Sequence, residues 1–138
     1  MTIVIDASAA LYLFASEEGI DPFAALGLVS PALLWSEVTS VLNEMLWRND
    51  LSSSLAGAMF DRLLAADIER RADPKLYRNA RAIAGTLGWA KTYDAEYVAL
   101  AQGLGAPLMT RDRRLRRGAS RLITVVAPDD VVPPDPSP

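Results

Sequence analysis

Residues 2–16 read TIVIDASAALYLFAS. Thr2–Asp6 is a short β-branched run that ends in an acid. It reads as a parallel strand buried on both faces. Ala7–Ala15 follows at once as a helix, with Ser8 as its predicted N-cap. A buried strand leading straight into a helix is the opening unit of an α/β sheet.

The rest of the chain extends that unit. Gly19 ends the first helix, and Ile20–Leu28 is predicted to form a short second one. Pro31 stands at the entrance of the clearest helix, Ala32–Arg48, whose apolar stripe is Leu34, Val38, Val41, Leu42, Met45 and Leu46. Asn49-Asp50 breaks it, Ser52–Ser54 offer caps, and Leu55–Ala66 follows with Leu55, Met59, Leu63 and Leu64 inward. Asp67–Asp73 fits either an edge strand or a linker. Pro74 opens a helix to about Thr86, closed by Gly85 and Gly88. Tyr93–Gly103 is a further helix with Val98, Ala101 and Leu104 facing in. Leu108–Thr110 and Leu122–Val126 read as strands. The expected fold is α/β: one domain over residues 1–126, with a central, mostly parallel twisted sheet flanked by helices. Residues 127–138, rich in Pro and Asp, are expected to form a disordered tail. Right-handed crossovers bring the strand C-termini to one edge, where such folds place their functional crevice.

Composition narrows the chemistry. The 138 residues suit one domain, and 51% hydrophobic with 22% charged types is a folding composition. There is no Cys and no His. That excludes a thiol nucleophile, a disulfide framework, a zinc finger, an iron–sulfur site and a Ser-His-Asp triad. Catalysis is left to carboxylates, hydroxyls, Lys/Arg or a hard metal. The net charge is −3, yet residues 108–125 hold six arginines against one acid, Asp112, a local +5. Such a patch suits phosphate contacts, and equally a solvated helix face. The apolar N-terminus lacks a basic leader and contains Asp6, so it does not read as a signal peptide. No uncharged apolar stretch reaches the ~18 residues of a membrane helix. A cytoplasmic protein without a membrane partner is expected.

The acids concentrate where the crevice should lie. Asp6 ends the first strand, and Asp112 lies just beyond Leu108–Thr110. Asp94 opens the Tyr93–Gly103 helix, on the side of Tyr97, Val98 and Ala101, and Glu37 lies among Leu33, Leu34 and Val41. An unpaired buried carboxylate costs several kcal/mol or titrates to neutral. Four of them at one edge would repel, and a divalent cation relieves this; with oxygen ligands alone, Mg²⁺ or Mn²⁺ is the expected ion. Each acid also has a plainer reading: Asp94 as a helix cap, Asp112 as a turn acid, Glu37 as an early-helix acid favoured by the dipole.

Three stretches together resemble a known family. TIVIDASAALYLFASEEG resembles the opening of PIN-domain ribonucleases, PALLWSEVTSVL their Glu-bearing helix, and TYDAEYVALAQGLGAPLMTRDRRL their most recognisable segment. Size and order are similar to the single-domain VapC-type toxins of bacterial toxin–antitoxin pairs. The resemblance covers residues 2–126. It implies that Asp6, Glu37, Asp94 and Asp112 are the catalytic acids that hold Mg²⁺ or Mn²⁺, with Ser8 and Thr110 supporting them. It implies hydrolysis of RNA to 3′-hydroxyl and 5′-phosphate ends, a small cognate antitoxin as partner, and a homodimer. Two departures stand out: Ser40 where many members carry Asn, and Arg113-Arg114 where some carry a further acid. They bear on the number of ions, not on the four acids.

Two expectations about surfaces follow. Arg111, Arg113, Arg114, Arg116 and Arg117 are candidate contacts to the RNA backbone. Leu11, Phe14, Trp35, Leu46 and Trp47 are candidates for an antitoxin groove, although ordinary core is the plainer reading for most. Competing functions are a catalytically silent PIN-like scaffold and a phosphotransfer domain. The second lacks its signature: a haloacid-dehalogenase-like phosphatase needs an Asp where Ser8 stands, and a receiver domain needs an acidic pair where Ile5-Asp6 stands. No Gly-rich loop follows the first strand, which disfavours a dinucleotide site.

Overall fold

The computed structural model describes residues 1–131. Its centre is strand β1 (Thr2–Ile5), in which Ile3, Val4 and Ile5 are fully buried. Helix α1 (Ala7–Phe14) follows directly. Its N-cap is Asp6, whose side chain accepts from the Ala9 N–H, and not Ser8 as expected. A capping carboxylate must stand just outside the helix, and the strand already ends at that position.

Residues 20–28 do not form the expected helix. They make a single 3₁₀ turn, Asp21–Phe23, and then enter strand β2 (Gly27–Pro31). Leu28, Val29, Ser30 and Pro31 are all buried, and β2 pairs in parallel with β1 on one side and with β3 (Glu69–Arg71) on the other. A four-residue buried run has no periodicity that separates strand from helix. Pro31, read as a helix entrance, is the last strand residue.

Helices α2 (Leu33–Trp47) and α3 (Ser53–Ala65) pack as a hairpin after β2. β3 settles the ambiguous 67–73 segment as an edge strand. Helices α4 (Pro74–Leu87) and α5 (Tyr93–Leu104) then lead back to β4 (Leu108–Met109). Gly88 and Gly105 end these helices at φ +73° and +61°, a left-handed conformation that glycine adopts without a Cβ penalty. Helix α6 (Arg113–Ala119) lies in the arginine-rich segment, where the sequence offered only a possible helix face, and β5 (Val125–Val126) closes the sheet.

The five strands run in the order β3-β2-β1-β4-β5, with every pairing parallel. The chain walks from β1 through β2 to β3, returns, and continues from β4 to β5. The direction therefore reverses between β1 and β4, and a crevice opens beyond their carboxyl ends. Helix α5 packs against α4, β1, β2 and β4, and residues 95–101 are all buried. Its burial on all sides explains its weak apolar periodicity. The expected tail from Ala127 starts with a 3₁₀ turn, Pro128–Asp130, in which Pro128 is buried. Residues 132–138, the rest of that expectation, lie outside the described residues.

The inward stripes need two corrections. Leu64 is 63% exposed while Leu63 is fully buried, and Leu104 is exposed at the end of α5. The two leucines of α3 therefore separate core from surface. Leu63→Ala is expected to cost about 2–5 kcal/mol and Leu64→Ala within about 0.5 kcal/mol, read from urea midpoints at constant m.

Candidate active site

Asp6 is 3% exposed, and three groups converge on its carboxylate. Oδ1 accepts from Ser8 Oγ at 2.8 Å and from the Ala9 N–H at 2.9 Å. Oδ2 accepts from the Thr110 hydroxyl. Ser8 Oγ and Thr110 Oγ1 also lie 3.1 Å apart, but each has already given its single hydrogen to Asp6. The oxygens then serve as acceptors: Arg111 N–H donates to Ser8 Oγ at 2.9 Å and Asp112 N–H to Thr110 Oγ1 at 3.0 Å. The two hydroxyls thus bind the end of β1 to the segment after β4. Ser30 Oγ adds a buried bond to the Ile5 carbonyl at 2.8 Å, holding β2 at the same edge.

Asp112 caps α6. Its Oδ1 takes both the Arg114 and the Leu115 N–H, at 2.9 and 3.1 Å. The plainer reading of Asp112 therefore holds in part, while Oδ2 takes no hydrogen bond among the described residues. Asp94 differs. It is exposed at the start of α5, not turned to the core, and makes no capping bond; the N-cap is Thr92. Glu37 is half-buried on α2, and Tyr97 Oη donates to its Oε1 at 2.7 Å.

The electrostatics tie the four acids together. Burial pushes the Asp6 carboxyl up to about 6, its hydrogen bonds oppose this, and Asp112 raises it further. Glu37 is raised by burial, against the Tyr97 bond, and also by Asp94, Asp6 and Glu96. Asp94 is raised by partial burial and by Asp112, with Arg114 opposing. Burial and the charge of Glu37 hold the Tyr97 phenol protonated, which fixes it as a donor. Among the described residues none of the four acids joins a salt bridge.

Oxygen donors with uncompensated negative charge suit a hard divalent cation. Asp112 and Asp94 keep open carboxylate oxygens, and Glu37 keeps Oε2. Among the described residues no three acids are drawn together tightly enough to hold one ion as they stand. The carboxylates surround a cleft and not a single point.

Glu96 went unnoticed in the sequence, and Tyr97 was read only as a neighbour of Asp94 on its helix. Glu96 is a buried fifth acid, raised by burial, and it acts on Glu37. The signal was available: Asp94, Glu96 and Tyr97 fall within four residues of one helix. The arginines do not form one patch. Arg111 stacks over the Tyr12 ring at 4.2 Å, Arg114 faces Asp94, and Arg116 reaches Asp130 at 3.7 Å and the Val125 carbonyl at 3.4 Å. Arg113 and Arg117 are exposed on α6. Of the groove candidates, Phe14 is core and Trp35 carries Arg70 over its ring, whereas Leu46 and Trp47 are exposed.

Residues 3–120 match the model of the PIN domain. The chain belongs to the PIN domain family. PIN domains are generally nucleases and typically use divalent metals. Comparison with curated proteins returned no match. Among solved structures, PAE2754 from Pyrobaculum aerophilum is similar with a TM-score of 0.73 and 23% identity over 96% of each chain. VapBC2 from Rickettsia felis, bound to a DNA fragment from its promoter, gives 0.63 and 11%, over 92% of this chain and 98% of that one. FitAcB from Neisseria gonorrhoeae gives 0.57 and 18%, over 94% and 99%. At these identities the likeness is one of PIN fold.

The raised Asp6 carboxyl sets a pH dependence for the metal-free PIN domain. Unfolded Asp titrates near 3.9, and folded Asp6 near 6. Between these values the folded state binds more protons, so stability falls as pH rises. In EDTA the unfolding free energy is expected to drop by up to about 3 kcal/mol from pH 4 to pH 7 through this group. Asp6→Asn should remove most of the drop in urea titrations. An unchanged slope in that variant would contradict the assignment.

Proposed function

We propose that this PIN domain is a Mg²⁺- or Mn²⁺-dependent endoribonuclease that hydrolyses RNA phosphodiester bonds. We further propose that it is the toxin of a toxin–antitoxin pair and restrains translation and growth. One observation carries the reading. Asp6, Glu37, Asp94 and Asp112 stand with uncompensated charge at the switch point of a parallel sheet, in a chain without His or Cys.

In this reading Asp6, Asp94 and Asp112 hold the ion, with Glu37 joining them. When bound, the ion supplies a water of lowered pKa and offsets charge on the phosphate. Ser8 and Thr110 keep Asp6 oriented through their hydroxyl hydrogens. Glu37, with Oε1 fixed by Tyr97, has Oε2 to accept the proton of the attacking water. Without His, a ribose 2′-hydroxyl has no imidazole to deprotonate it, which favours water as nucleophile and a 5′-phosphate product.

Arg111, Arg113, Arg114 and Arg117 are assigned to the RNA backbone, Arg114 beside Asp94 and Arg111 over the Tyr12 ring, while Arg116 is engaged by Asp130. The VapBC and FitAB assemblies of similar fold support a small antitoxin as partner. Leu46 and Trp47 on α2, with Phe60 and Leu64 on α3, offer it exposed apolar surface. A homodimer and a cytoplasmic place of work belong to the same reading. No helix of the described residues is long and apolar enough to cross a membrane.

The test is degradation of a mixed RNA pool with Mn²⁺, with EDTA as control. Asp6→Asn and Asp94→Asn should slow cleavage by at least about 100-fold, and Thr110→Val by about 10–100-fold. Cleavage by Asp6→Asn at the wild-type rate would refute the site. Separately, neutralising Arg111 or Arg114 should lower the salt slope of RNA binding by about 1 each. Neutralising Arg116 should change it less; equal effects at all three would refute the division among the arginines.

A further inference from the structure

Beside Glu37 and Asp94 the cleft widens into a cavity of about 570 Å³, lined also by Trp89, Lys91, Tyr93 and Arg114. That volume lies within the range of small-molecule pockets, roughly 300–1,000 Å³. We propose that this cavity is a nucleobase subsite, which takes one unpaired base of the RNA strand beside the scissile phosphate. The proposal rests on the nuclease reading and adds to it the residues that receive the nucleotide: Trp89, Tyr93, Lys91 and Arg114.

Two aromatic side chains are placed there without serving the core fully. Tyr93 is 57% exposed and immediately precedes Asp94. Trp89 is held from two sides. Its backbone N–H donates to the Ala84 carbonyl at 2.8 Å, and its ring lies against Gly118 of α6. A Cβ at Gly118 would fall 2.5 Å from Trp89 Cζ2, so only glycine leaves the ring this place. Arg114 stands one turn before Gly118 on the same helix, and Lys91 lies in the loop between Trp89 and Tyr93.

The chemistry of the cavity fits a nucleotide. Aromatic faces receive a base whatever its identity, because every base has a π-face. Lys91 and Arg114 suit the flanking phosphates. A base inside a duplex has both faces covered by its stacked neighbours and reaches such a pocket only after unstacking.

The test uses the full chain with Trp35→Phe and Trp47→Phe, which leaves Trp89 as the single tryptophan of three. In EDTA, so that binding is read without cleavage, a short single-stranded RNA should quench Trp89 fluorescence saturably. The same sequence as a duplex should bind at least about tenfold more weakly at this probe. Tyr93→Ala should weaken single-strand binding about tenfold, and Tyr93→Phe, which keeps the ring, should restore it. Gly118→Ala, with folding checked by its thermal midpoint, should lower the quenching by displacing Trp89. With Mn²⁺, Tyr93→Ala should raise KM more than it lowers kcat. Absent quenching, equal binding of strand and duplex, or unchanged binding by Tyr93→Ala would overturn the subsite. A wild type that cleaves without quenching overturns the subsite alone. A wild type that quenches but cleaves no RNA supports the base site and overturns the nuclease reading.

Discussion

The carboxylate of Asp6 is buried at the end of a strand that is itself buried, and the structure is arranged around keeping it there. Charge in such a place is tolerated only with hydrogen-bond donors. Three donors come from two segments: Ser8 and the Ala9 N–H at the start of α1, and Thr110 after β4. The donors to one carboxylate therefore pin β1, α1 and β4 to a common point. Even so, the group stays hard to ionise, with its pKa pushed up to about 6. A fold optimised for stability alone would place Asn or an apolar residue there. Unfavourable charge of this kind concentrates at functional sites, which is why Asp6 anchors the proposed one.

Much of the fold was legible because strong local patterns and tertiary context agreed. Helices α2 and α4 carry apolar stripes with Pro or Gly punctuation, and their limits in the structure lie within a residue or so of those read from the sequence. Strand β2 was not legible. Leu28, Val29 and Ser30 are buried by partners more than 20 positions away, and no local period records that. Helix α6 was hidden for a different reason. Its two buried residues, Leu115 and Ala119, are outnumbered by arginines that stay in water. The exposed Leu64 and Leu104 show the limit of stripe reading, since a stripe continues beyond the end of what covers it.

The four acids were legible as oddities: carboxylates at a strand end, in an apolar helix face and at helix entrances. Their dual use was not. Asp6 and Asp112 serve as N-caps and still bring charge to the cleft: Asp112 raises the Asp6 and Asp94 carboxyls. The roles of Tyr97 and Trp89 were not legible, because they depend on contacts across elements: Tyr97 with Glu37, and Trp89 with Gly118. The arginine-rich segment looked like one patch in one dimension. Helical geometry, the Tyr12 ring and Asp130 divide it into members that face the acids and members that do not.

A divalent-cation site at these acids is read by calorimetric titration with Mn²⁺. A saturable heat is expected in the wild type. Proton release at pH 6 is also expected, seen as a dependence on the ionisation enthalpy of the buffer, because Asp6 is partly protonated there. Both signals should vanish in Asp6→Asn. No binding by the folded wild type, or binding of equal strength and stoichiometry in Asp6→Asn, would contradict it.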